Sequence, residues 1–133
     1  MRLSIAKASE ATYVKGRRDF LTFRDLGFGD ASDGRYGAVV INAKESMTES
    51  TGWHFHECDV QMLYMLGGWS RMRFEDGTEL LLEPGDFLTI PGGTKHNEIE
   101  TSADLEVLEI TSPATMGTVP CDAPDSWAAE AAS

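Results

Sequence analysis

The chain has 133 residues, 41% of them hydrophobic, with 22 acidic against 11 basic side chains and a formal net charge of −11. That length suits one domain with a sizeable core, and the acidity argues against nucleic acid or an anionic membrane as partner, because both need a basic face. No apolar stretch is long enough to span a bilayer and residues 1–7 lack the apolar run of a signal peptide, so the expected location is cytoplasmic, where Cys58 and Cys121 count as free thiols.

Taken in order, residues 1–16 are polar and mixed and end on Gly16, which suggests a short strand or an arm exchanged with a second subunit. Residues 17–26 alternate as a strand, and 27–34 are turn chemistry. The β-branched run Ala38-Val39-Val40-Ile41 marks a buried strand over 36–42. Residues 61–66 form a second apolar run closed by Gly67-Gly68, and 69–74 alternate up to the hairpin signal Asp76-Gly77. Strands are expected at 79–83 and 87–90, separated by Pro84-Gly85, and a final pair at 97–100 and 105–110. Residues 114–133 read as a loosely packed tail, with a helix-friendly Trp127-Ala128-Ala129-Glu130, outside a single domain over 1–113. Short strands at regular intervals with no long helix predict an all-β sandwich or barrel.

The chemistry concentrates between Gly52 and His96, which holds all three histidines. His54 and His56 are spaced i, i+2, so a strand points both imidazoles to one side. His96 follows Pro91-Gly92-Gly93, a turn at the end of another strand. Imidazoles brought together from different strands make a metal site. A lone histidine on an apolar strand is more often a packed core residue, but three at this spacing favour ligation.

Two blocks carry a family resemblance. The first is His54-Phe55-His56, four residues, Gln61, six residues and Gly68; the second is Gly85, five residues, Pro91-Gly92-Gly93-Thr94-Lys95-His96. They resemble the paired motifs of the cupin superfamily, with two departures: the usual glutamate of the first block is Gln61, and the asparagine often found four residues after the last histidine is Glu100. The resemblance implies a double-stranded β-helix (jelly roll) barrel, a small-molecule substrate, a homodimer formed through a sheet, and one divalent transition metal (Fe, Mn, Ni, Zn or Cu) held by His54, His56, Gln61 and His96 inside one mouth of the barrel. Gln61 would ligate through its amide oxygen, or remain a hydrogen bonder beside a three-histidine site. A set of neutral ligands leaves the ion its full charge and makes it a strong Lewis acid, which points to isomerisation, ring opening or elimination. Three-histidine cupin dioxygenases resemble the same arrangement and keep a non-haem Fe(II) dioxygenase in view; a metal- or ligand-binding module without turnover is the third reading.

The last strand alternates Leu105, Val107, Glu109 and Thr111 against Glu106, Leu108 and Ile110. If the first set faces inward, Glu109 is a carboxylate among apolar side chains, where desolvation raises its pKa and suits it to acid–base work; the reverse face puts Leu108 and Ile110 in the core. Leu108-Glu109-Ile110-Thr111-Ser112-Pro113 is also similar to the end of small cupins that linearise unsaturated uronates from pectin and alginate. Those carry an aromatic and an arginine where this chain has Thr111 and Thr115. On that reading Arg71 or Arg73 would hold a substrate carboxylate, against the plainer reading of surface ion pairs. Tyr64 is a candidate donor in the cavity although strand parity sets it opposite Gln61, and Cys58 is a remote alternative ligand.

Overall fold

A computed structural model of the protein describes residues 1–128. Eleven strands form two antiparallel sheets. They are β1 (Val14–Lys15), β2 (Leu21–Asp25), β3 (Gly37–Ala43), β4 (His54–Glu57), β5 (Val60–Gly67), β6 (Ser70–Phe74), β7 (Glu79–Leu82), β8 (Phe87–Pro91), β9 (His96–Thr101), β10 (Glu106–Ser112) and β11 (Gly117–Pro120). One sheet has the order β1-β2-β3-β10-β5-β8 and the other β11-β4-β9-β6-β7. This is the jelly-roll arrangement expected of an all-β barrel. A single α-helical turn, Phe28–Ala31, interrupts the loop after β2, and no helix among the described residues is long and apolar enough to cross a membrane.

Period-2 alternation decides what each strand buries. On β5, Gln61, Leu63 and Met65 are buried while Tyr64 and Leu66 are exposed. The run read as wholly buried is therefore half outward. On β6, Ser70, Met72 and Phe74 face in. The inward side chains of both sheets meet in one core, including Ile41, Leu63, Met65, Met72, Phe74 and Val107. Fully burying an aliphatic or aromatic side chain of this kind contributes about 1.5–3 kcal/mol, so the core is what holds the two sheets face to face.

Two expectations about connectivity are corrected. Strands β9 and β10 do not pair with each other; the chain crosses from one sheet to the other at residues 102–105, where Ser102 donates its N–H to the Trp69 carbonyl. A polar turn between strands is equally compatible with a hairpin and with a crossing. The segment after Pro113 is not a loose tail either: β11 pairs with β4 from Gly117↔Glu57 to Pro120↔His54. Further on, Trp127 donates its indole N–H to the Phe74 carbonyl at 2.7 Å. Residues 129–130 of the helix-friendly stretch lie outside the described residues. At the other end, β1 pairs with β2 of the same chain, and the Arg2 N–H is bonded to the Ala31 carbonyl.

The Pro91-Gly92-Gly93 turn fixes the approach to His96. Gly93 sits at φ +81, a left-handed conformation that favours glycine. Gly92 donates to the Asp59 carbonyl at 3.0 Å, and a Cβ there would run into the Cys58 carbonyl. Because the obstacle is backbone, Gly92→Ala should destabilise the protein by about 1–3 kcal/mol, read as a lower denaturant midpoint at unchanged slope.

Candidate metal centre

β4 buries His54 and His56 while Glu57 remains exposed. β9 opens with His96, directly across from His54 in the sheet register. The imidazole centroids lie 4.4 Å (His54–His96), 5.1 Å (His54–His56) and 5.1 Å (His56–His96) apart. One ligating atom from each ring falls within 4.8 Å of the others.

Each ring is held through Nδ1. His54 Nδ1 bonds the Gly52 carbonyl at 2.8 Å, His96 Nδ1 the Thr94 carbonyl at 2.9 Å, and His56 Nδ1 the Thr118 hydroxyl at 3.0 Å. A carbonyl only accepts, so Nδ1 of His54 and His96 carries the proton and Nε2 keeps its lone pair. His96 Nε2 is buried without a partner among the described residues, a situation that costs about 1–3 kcal/mol until something fills it. Burial, followed by the neighbouring His96, His54 and Arg17, pushes His56 down to about 3 against a weaker opposing hydrogen bond at Gly117. Burial likewise lowers His96. Both rings are therefore neutral at physiological pH, the form that binds a metal.

Gln61 points to the same interior. Its Nε2 donates to Glu109 Oε2 at 2.7 Å, and its Oε1 is buried with no partner among the described residues. A carboxylate accepts and cannot donate, so this bond determines which end of the amide faces Glu109. The donor set thus suits a divalent transition ion: imidazole nitrogens with free lone pairs and an unpaired amide oxygen, all uncharged.

Of the two alternations open for β10, the one with Val107, Glu109 and Thr111 inward is realised. Glu109 is 4% exposed but is not left among apolar side chains: Arg17 Nη2 lies 3.0 and 3.3 Å from its two oxygens. Arg17 stands on the turn between β1 and β2, part of what reads from sequence as one continuous strand over 17–26. A cavity of about 390 Å³ is bordered by His54, His56, Gln61, Glu109 and Arg17, with Trp53 in its wall.

Other expected site residues lie elsewhere. Arg71 and Arg73 occupy the outward positions of β6. Arg71 pairs with Glu79 and Glu100, and Arg73 with Glu79 while its guanidinium lies over the Trp127 ring. Tyr64 is 42% exposed on the outer face of β5. Cys58 follows the end of β4 and is not part of the histidine cluster. Sequence reasoning missed Arg17 and Thr118. For Arg17 a signal existed, the Gly16-Arg17-Arg18 turn in an acidic chain; for Thr118 nothing marked the residue.

Residues 45–111, half of the chain, match the cupin domain family Cupin_2. The chain is a cupin. A segment of 66 residues of this cupin is 33% identical to quercetin 2,3-dioxygenase of Bacillus subtilis (strain 168), covering 50% of this chain and 19% of that protein. The chain thus spans only about a fifth of the curated relative it matches. Among solved structures, KdgF from Halomonas sp. superposes with TM-score 0.69 at 21% identity, over 84% of this chain and 94% of that one. The polyketide cyclase RemF from Streptomyces resistomycificus gives TM-score 0.70 at 18% identity, over 96% and 93%. At these identities the two structures establish the fold alone.

Among the described residues the Thr118 hydroxyl is the side-chain group that holds a ring of the histidine cluster, the other two rings being held by backbone carbonyls. Thr118→Val keeps the shape and removes the bond. Metal affinity should fall about 10- to 100-fold with the fold intact, measured by competition with a chromophoric chelator.

Proposed function

We propose that this cupin is a metal-dependent enzyme that isomerises, opens or eliminates from a small, polar, enolisable molecule. His54, His56, His96 and the Oε1 of Gln61 would hold a divalent ion, which when bound supplies a Lewis acid that polarises an oxygen of the substrate. The observation that carries the reading is Glu109: an inward carboxylate hydrogen-bonded to the neutral ligand Gln61, beside a cavity large enough for a small substrate.

The residues divide the work. The uncharged donors leave the site's positive charge uncancelled, which favours an oxygen that gains negative charge during reaction. Glu109 takes a proton from the carbon next to the polarised group and returns it at another position in an isomerisation, or keeps it while a leaving group departs in an elimination. Before substrate binds, Arg17 and Gln61 hold that carboxylate in one orientation. Leu63, Met65 and Val107 keep the inner wall apolar.

Glu109→Gln is the direct test. The amide still offers an acceptor to Gln61, so metal stoichiometry should remain at the wild-type level while turnover falls about 10²- to 10⁴-fold; full activity in this variant removes Glu109 from the chemistry.

A second reading, an Fe(II) dioxygenase, is favoured by the local match to quercetin 2,3-dioxygenase. Oxygen uptake by the iron-loaded protein with diketones, flavonols or thiols would support it, and no uptake across that panel counts against it.

A further inference from the structure

We propose that Arg17, assisted by Arg18, is an anion subsite: the substrate carries a carboxylate, and binding it draws Arg17 away from Glu109. The inference deepens the proposed function by naming its substrate class, and it rests on that reading's divalent ion.

Three observations converge on Arg17. It borders the metal-site cavity, yet 38% of its side chain is exposed, so it stands where the cavity meets solvent. Among the described residues only Nη2 is engaged, on Glu109, while the guanidinium lies over the Phe23 ring at 5.0 Å. The remaining N–H groups of the planar fork are left for a second acceptor, and a fork of this kind suits a carboxylate. Finally, Arg17 and Glu109 also border a smaller cavity of about 140 Å³, which leaves room for the two groups to separate.

The charge of the cavity selects the same ligand. Its charged side chains are Arg17, Arg18, Glu98 and Glu109, two of each sign, which cancel. Uncharged ligands contribute nothing further, so a bound divalent ion leaves the chamber with a surplus of two positive charges in a chain whose net charge is −11. A substrate carboxylate offsets one of those two charges where a neutral substrate offsets none. It also competes with Glu109 for Arg17.

The test uses the zinc-loaded protein and three probe pairs: galacturonate, pyruvate and lactate, each beside its methyl ester. Binding is followed by calorimetry and by the Arg17 Nε–H resonance in ¹H–¹⁵N spectra. Wild type should bind at least one acid tenfold or more tightly than its ester and shift the Arg17 resonance. Arg17→Met should bring acid and ester to within twofold, and Arg17→Lys should keep part of the preference. Because Arg17→Met strands a buried carboxylate, Arg17→Met/Glu109→Gln is measured beside it and should also lack the preference. No preference for any acid in the wild type, or a preference that survives in both methionine variants, overturns the subsite. These outcomes do not depend on turnover, so they are separable from the Glu109→Gln result.

Discussion

The site depends on one hydrogen bond, from Gln61 Nε2 to Glu109 Oε2 at 2.7 Å. A side-chain amide can present either end, and the two ends are chemically opposite: nitrogen donates, oxygen accepts or ligates. Glu109 removes the choice by accepting only. With the nitrogen committed, Oε1 is left buried without a partner among the described residues, on a side chain that borders the same cavity as His54 and His56. An unsatisfied oxygen there is costly in the absence of a cation, and the same holds for His96 Nε2. The protein thus stores unmet donor capacity at the place where the cupin fold gathers its ligands.

The same bond joins two functions. On one side it orients the amide that we propose ligates the metal; on the other it holds the carboxylate that we propose moves the proton. Glu109 is buried, and a buried charge requires a partner, which Arg17 supplies from a turn 92 residues away in sequence. Removing one member of such a trio leaves the others unpaired, so effects of single substitutions should not add. Replacing the usual glutamate by Gln61 changes more than the charge on the metal. A glutamate at 61 would face Glu109 as a second carboxylate, and like charges at hydrogen-bond distance disfavour each other.

The histidines were legible because period-2 alternation, two spaced glycine-rich blocks and strand order all pointed the same way. The barrel followed from the rhythm of short strands and turns. Glu109 was named as a candidate but its face stayed open, since the face of β10 turns on parity, and a register shift between Glu106 and Val107 interrupts its pairing with β5. Nothing local announces such an irregularity. Arg71 and Arg73 were readable in hindsight: the apolar Met72 and Phe74 alternate with them and claim the inward face of β6. Arg17 and Thr118 reach the site by contacts spanning 92 and 62 residues, which no local pattern encodes. The strand at β11 was hidden by its composition, small and polar, because its role is to pair with β4 at the sheet edge rather than to fill the core.

The central claim is that Gln61, oriented by Glu109, completes an uncharged ligand set. A crystal structure of the zinc-loaded protein, with the ion located by anomalous scattering, tests it most directly. The account predicts one ion bonded to His54, His56 and His96 and to Gln61 Oε1, at about 2.0–2.2 Å, with Gln61 Nε2 still bonded to Glu109. An ion bound by the histidines with Gln61 Oε1 turned away, or Glu109 itself in the coordination sphere, would contradict it.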